Sequence, residues 1–215
     1  MKIIIFALSG IGDALMFSPA LKLLRQRFPD ARIDLLAMFK AVAELYQRNP
    51  DINTVHFWNF LSSHPFSSLA FILQLRRQRF DISFSVYHSN RWPYNLISFL
   101  VGAKKRLGHD YHHINGRSLN FLNNVRVLED DAIHNVEENR NLVDRAGVEA
   151  TFQLPPLQVT LNQTDEAEGS EWLKTNNLGP DSLFIGYHTG SALFKNHIHK
   201  RWAAEKFARL GKILV

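Results

Sequence analysis

The opening stretch from Met1 to Pro29 constrains the fold more than any other. An unbroken apolar run from Ile3 to Leu8 ends at Ser9-Gly10-Ile11-Gly12-Asp13, and Leu15, Leu21, Leu24 and Phe28 then recur at helical spacing. The pattern predicts strand, tight glycine loop, helix, which is the opening unit of an α/β domain. Ile3, Ile4 and Ile5 follow one another without polar alternation, so the strand is expected to be covered on both faces, as in a parallel sheet. Such sheets bind ligands outside the carboxyl ends of their strands, and Gly10, Gly12 and Asp13 fall there.

Asp13 carries two readings. It can cap the first helix, whose positive end favours a carboxylate, or it can project into a cleft as a general base. The glycines do not complete a dinucleotide fingerprint, because Gly10-Ile11-Gly12 is followed by Asp13-Ala14-Leu15 with no third glycine in place. The second predicted strand also ends Leu36-Ala37-Met38-Phe39-Lys40, without the acidic residue that a dehydrogenase would use for ribose. A nucleotide-binding oxidoreductase therefore ranks last among the functional readings.

The alternation continues along the chain. Arg32–Ala37, Thr54–Trp58 and Asp81–Tyr87 read as strands, and Ala41–Gln47, Ser67–Phe80 and Pro93–Val101 as helices. The second of these helices is expected to be amphipathic, with Arg76, Arg77 and Arg79 on its polar side. A fifth strand is expected to begin near Lys105. Pro19 either kinks the first helix or opens a new segment capped by Ser18. Short connections between alternating elements predict a right-handed, wound parallel sheet. On that winding His88-Ser89-Asn90-Arg91 shares the sheet edge with Asp13. A helix opening at His134 ends at Gly147, and Pro155-Pro156 marks a linker over 151–158. Beyond it, a helix over 165–176 and an apolar strand at Ser182–Tyr187 lead into His188-Thr189-Gly190-Ser191, which repeats the strand-then-glycine plan of the N-terminus. A last helix begins near Lys200-Arg201-Trp202. One strand and two helices cannot bury a second parallel core. Either they pack on the first domain or the rest of a domain is missing, and the sequence reads as truncated.

Composition narrows the function classes. The 25 Lys and Arg against 20 Asp and Glu give a net charge of +5, which favours an anionic partner such as a phosphorylated sugar, a nucleotide or an acidic membrane surface. With no cysteine, disulfides and thiolate metal sites are excluded. His109, His112 and His113 lack partners at a familiar ligand spacing, so no metal is expected. The cations are dispersed rather than arranged as a stripe with interleaved aromatics, which argues against nucleic acid. No apolar run reaches the ~18 residues of a membrane span. A cytoplasmic protein is expected, with peripheral contact to the inner membrane left open.

Three stretches together resemble glycosyltransferase family 9, the lipopolysaccharide heptosyltransferases. They are Leu8–Leu15 with Ser18-Pro19-Ala20-Leu21 and Phe28-Pro29; Gly102–Gly108 with His134-Asn135-Val136-Glu137; and Ile185–Ser191 with Lys200-Arg201-Trp202 and Glu205-Lys206-Phe207-Ala208. The resemblance implies a GT-B architecture of two facing Rossmann-like domains. Residues 1–155 would form the N-terminal acceptor-binding domain, and 156–215 the linker and the start of a truncated C-terminal donor-binding domain. It further implies an inverting, metal-independent transfer without a cofactor, from a nucleotide-sugar such as ADP-heptose to an anionic glycolipid, the lipopolysaccharide core. In this reading Asp13 is the catalytic base. Thr189, Gly190, Ser191 and Lys200 bind the donor phosphates, and Ser9, Gly10, Gly12, His88, Asn90 and Arg91 form the acceptor-side loops. Departures from the family pattern are Thr189 and Ala203 at positions where prolines are usual, and a longer loop before Lys200, in which Lys195 is a competing lysine. A non-catalytic acceptor-binding remnant is the principal alternative.

Overall fold

The structure is a computed structural model describing residues 1–111, 113–148, 153–179, 181–190 and 201–214. The chain divides into two compact units, Met1–Asn162 and Gln163–Val215.

The first unit is built on six strands: β1 (Lys2–Ala7), β2 (Arg32–Ala37), β3 (Thr54–Phe57), β4 (Ile82–Ser85), β5 (Lys105–Asp110) and β6 (Val125–Leu128). They form one sheet in the order β3-β2-β1-β4-β5-β6, and every pairing is parallel. β1 is central because its side chains are apolar on both faces. Ile3, Ile5 and Ala7 join one core cluster while Ile4, Phe6 and Leu8 join the other, and all six are buried.

Helices complete the two layers. On one side lie α1 (Ile11–Leu15), α2 (Ser18–Arg27), α3 (Lys40–Gln47) and α7 (Asn135–Asp144), contributing Ala14, Leu21, Leu24, Val42, Tyr46, Leu142 and Val143 to the core. On the other lie α4 (Pro65–Arg76) and α5 (Trp92–Val101), contributing Ile72, Leu75, Ile97 and Val101. A short α6 (Asn115–Ser118) and a 3-10 turn (Asn120–Leu122) lead into β6. Between them the two layers cover β1 from Ile3 to Ala7, which is why that run shows no alternation.

Several local expectations are corrected. The first helix is two helices. Pro19 is the second residue of α2, where its missing N–H needs no partner. Ser18 does not cap that helix; it is the first helical residue, and its hydroxyl accepts from the Gln158 amide at 3.0 Å. α4 is shorter than expected and is not amphipathic, since Phe66, Leu69 and Leu73 face outward while Ile72 and Leu75 face the core. The strand expected at Ser182–Tyr187 does not form. A parallel strand requires a neighbour to satisfy its amides, and no other strand occurs among the described residues of the second unit. That unit contains α8 (Gln163–Thr175) and α9 (Ala204–Leu214), neither of which buries a residue. Among the described residues no helix is long and apolar enough to cross a membrane.

Candidate active site

Strand order creates the site. From β1 the chain winds outward to β2 and β3, then returns to place β4 against the other side of β1 and winds on to β5 and β6. The loops leaving the carboxyl ends of β1 and β4 therefore diverge toward opposite helix layers, and a crevice opens between them, the topological switch point of a wound sheet.

The β1 loop carries Ser9, Gly10, Gly12 and Asp13. Gly10 caps α1 with an extended backbone, and its carbonyl accepts from the Ala14 amide at 3.0 Å. Gly12 is exposed, and a β-carbon there would meet nothing within 4 Å, so the space above the loop is open. Asp13 occupies the first turn of α1 but makes no capping hydrogen bond. Its side chain is 26% exposed and faces His88, with Oδ1 4.0 Å from Nδ1. The helix end still favours its negative charge. Buried Tyr46 braces the turn from beneath, its hydroxyl donating to the Ala14 carbonyl at 2.6 Å.

The β4 loop is held by hydrogen bonds from both sides. Ser9 Oγ donates to the His88 carbonyl at 2.7 Å. The Ser89 amide donates to the Tyr111 hydroxyl at 2.7 Å, and the Ser89 hydroxyl donates to the Val86 carbonyl at 2.6 Å. Asn95 Nδ2 donates to the carbonyls of Ser89 and Ser118. Tyr87 donates its amide proton to Asn139 Oδ1 at 3.0 Å and its hydroxyl proton to Glu129 at 2.9 Å. The Tyr87 and His88 rings lie 3.7 Å apart.

Electrostatics separate the two central side chains. Burial lowers the His88 pKa below its ordinary 6.5, and the attraction of Asp13 only partly opposes it. His88 is thus held toward its neutral form, and among the described residues no Lys or Arg pairs with Asp13. Burial pushes the Tyr94 hydroxyl up, with Arg91 opposing and Asp13 adding to the effect, so the aspartate's field reaches α5. Burial likewise raises Tyr87, where Glu129 reinforces it, and Tyr111. Among the described residues no group of three His, Cys, Asp or Glu is placed to hold a metal.

The structure brings Ser9, Gly10, Gly12, Asp13 and His88 to one edge, with half-buried Asn90 and exposed Arg91 following on the same loop. Thr189 and Gly190 are exposed, irregular residues of the second unit, while Ser191, Lys195 and Lys200 lie outside the described residues. Sequence reasoning missed the rear wall of the crevice behind Ser89, made by Tyr111, Asn95, Glu129 and Asn139. Asn139 meets Tyr87 across 52 positions, and no local pattern announces such a partner.

The doubly wound parallel sheet defines a Rossmann-like α/β domain. Comparisons with known proteins sharpen that class. No protein-family model matches the chain. Lipopolysaccharide heptosyltransferase 3 of Escherichia coli K12 is 25% identical over 93% of this chain and 56% of its own length. The structure of Escherichia coli ADP-heptose lipopolysaccharide heptosyltransferase II superposes with a TM-score of 0.71 at 24% identity, covering 100% of this chain and 61% of that one. A glycosyl transferase family 9 protein of Veillonella parvula gives 0.72 at 18% identity, over 99% and 59%. The likeness to glycosyltransferase family 9 thus extends over nearly the whole chain, which itself spans about three fifths of these proteins.

Proposed function

We propose that the chain transfers a heptose, or a related sugar, from a nucleotide-sugar such as ADP-heptose to a lipopolysaccharide core acceptor, with inversion and without a metal or cofactor. The observation that carries this reading is Asp13, a partly exposed carboxylate at the switch point whose Oδ1 faces His88 Nδ1 at 4.0 Å. The likeness to heptosyltransferases supplies the substrate class.

Inverting transfer is a single displacement. An acceptor hydroxyl attacks the anomeric carbon, the bond from that carbon to the diphosphate oxygen breaks, and its electron pair leaves with the nucleotide. The hydroxyl proton passes to the Asp13 carboxylate, a step of general base catalysis worth about 10²–10⁴-fold. Charge on the departing diphosphate needs donors, and the resemblance assigns these to Thr189, Gly190, Ser191 and Lys200. Ser9, Gly10, Gly12, His88, Asn90 and Arg91 would shape the acceptor side, where Arg91 is suited to an anionic glycolipid. The work would be done in the cytoplasm, at the inner membrane. A transfer assay with ADP-heptose and a core acceptor, comparing the parent with Asp13→Asn, tests the assignment. Near-normal turnover in the variant overturns it.

A second reading is favoured by one observation. Neither α8 nor α9 buries a residue, and the described part of the second unit forms no strand. On that reading the chain binds the acceptor without transferring sugar. Calorimetric titration with ADP separates the two, because only a donor-binding chain takes up the nucleotide.

A further inference from the structure

α4 breaks the usual rule for a surface helix, which shows one apolar stripe to the core and polar residues to water. Only Ile72 and Leu75 are buried along its length, yet Phe66, Leu69 and Leu73 are exposed, Phe66 by 79%. Leu61 precedes them, and Trp92, 52% exposed, and Phe99 continue the surface on α5. Between the two helices runs a groove of about 350 Å³ whose walls include Leu69, Trp92, Leu96 and Leu100. Contiguous apolar surface of this kind marks an interaction site.

The charge of the same layer is equally one-sided. From Ile52 to His109 the sequence holds seven cations, Arg76, Arg77, Arg79, Arg91, Lys104, Lys105 and Arg106, and a single acid, Asp81. Asp81 is engaged by Lys104 at 2.8 Å. The remainder of the chain carries 18 cations against 19 acids, so the whole surplus belongs to the segment that contains α4 and α5. Three of these cations adjoin the apolar surface. The Arg106 guanidinium lies 5.4 Å from the centre of the Phe99 ring, Arg76 donates to the Leu100 carbonyl at 2.8 Å, and Arg91 immediately precedes Trp92.

From this pairing we propose that the α4–α5 face is a docking surface for an anionic lipid bilayer. A bilayer interface accepts a broad apolar face flanked by Lys and Arg, and it demands no matching contour. A second copy of the chain would set one cationic layer against another. The inference is independent of the crevice chemistry and stands whether or not the chain transfers a sugar.

Flotation of the 215-residue chain with lipid vesicles tests it. Expected is recovery with vesicles of phosphatidylethanolamine and phosphatidylglycerol, little recovery with phosphatidylcholine alone, and release by high salt. The double variant Phe66→Glu/Leu73→Glu, altered at exposed positions, is expected to lose binding at least about tenfold, and Arg77→Glu/Arg91→Glu about fivefold or more. Circular dichroism checks that each variant folds, and Phe66→Ser/Leu73→Ser replaces the first pair if it does not. The proposal is overturned if the parent fails to float with anionic vesicles at low salt. It is also overturned if the folded variants float as well as the parent. Sedimentation equilibrium that shows a parent dimer and a monomeric Phe66→Glu/Leu73→Glu variant overturns it too, in favour of self-association.

Discussion

Ser9 and His88, 79 residues apart, are joined by a hydrogen bond of 2.7 Å from the serine hydroxyl to the histidine carbonyl. That bond ties the loop after β1 to the loop after β4 and sets the distance across the crevice. Ser9→Ala leaves a partly buried carbonyl unpaired, and urea unfolding is expected to show a loss of about 1 kcal/mol. An unchanged midpoint and slope would show that the two loops hold position without it.

Asp13→Asn keeps the size and shape of the side chain and removes its capacity to take a proton. Transfer is expected to fall by about 10²–10⁴-fold, with stability reduced by no more than the ~0.3–1 kcal/mol that a helix N-terminus lends a carboxylate, because among the described residues Asp13 makes no capping hydrogen bond and pairs with no Lys or Arg. A fall in stability that matches the fall in rate would instead give it a structural role.

Asp34 offers a pH test remote from the crevice. Burial works to raise its pKa, but hydrogen bonds from His56 at 3.0 Å and Arg32 at 3.0 Å outweigh it and hold the carboxyl below its ordinary 3.8. The stabilisation is complete above that ordinary value and is lost as pH falls through the lower, folded one. Asp34→Asn is expected to be less stable than the parent near neutral pH by about 2–3 kcal/mol. That is below the ~3–5 kcal/mol of a fully buried pair, because Arg32 is half exposed. Urea unfolding across the acid range should show the gap closing below about pH 4. A gap that stays constant down to pH 2, about two units below the ordinary range, would assign the loss to packing.

Gly108 sits where a side chain has no room. A β-carbon built there lies 2.4 Å from Asn123 Nδ2, the atom that donates to Asn95 Oδ1 at 2.9 Å. Asn95 in turn holds the Ser89 carbonyl behind the crevice. Gly108→Ala is expected to cost about 1–3 kcal/mol through the displaced amide. Asn123→Ser in the same chain should recover part of it by making space, and no recovery would place the strain elsewhere.

How much of this was legible depended on the range of the signal. β2 is observed over the predicted residues, Arg32–Ala37, because it is buried on both faces from Ile33 onward, and Ile33, Leu35, Leu36 and Ala37 report it. β6 left no such trace. It is an edge strand in which only Val127 is buried, and its alternation of Val and Arg looks like a surface loop. The loop glycines and Asp13 stood out because strand, turn and helix follow in sequence, while the wall of Tyr111, Asn95 and Asn139 is assembled by the fold from distant segments. The outward stripe of α4 was misread for a related reason. Apolar periodicity locates a helix, but a helix that is apolar all round does not say which side meets the sheet.

The central place of β1 decides which half of the crevice can breathe. With ladders to β2 on one flank and β4 on the other, its amides should exchange with solvent only when the whole unit opens. The aspartate is therefore carried on the short helix that directly follows one of the slow-opening inner strands of the first unit. Adjustment to an incoming substrate falls to the opposite bank, the segment from His88 to Arg91, whose grip on the scaffold is a handful of polar contacts.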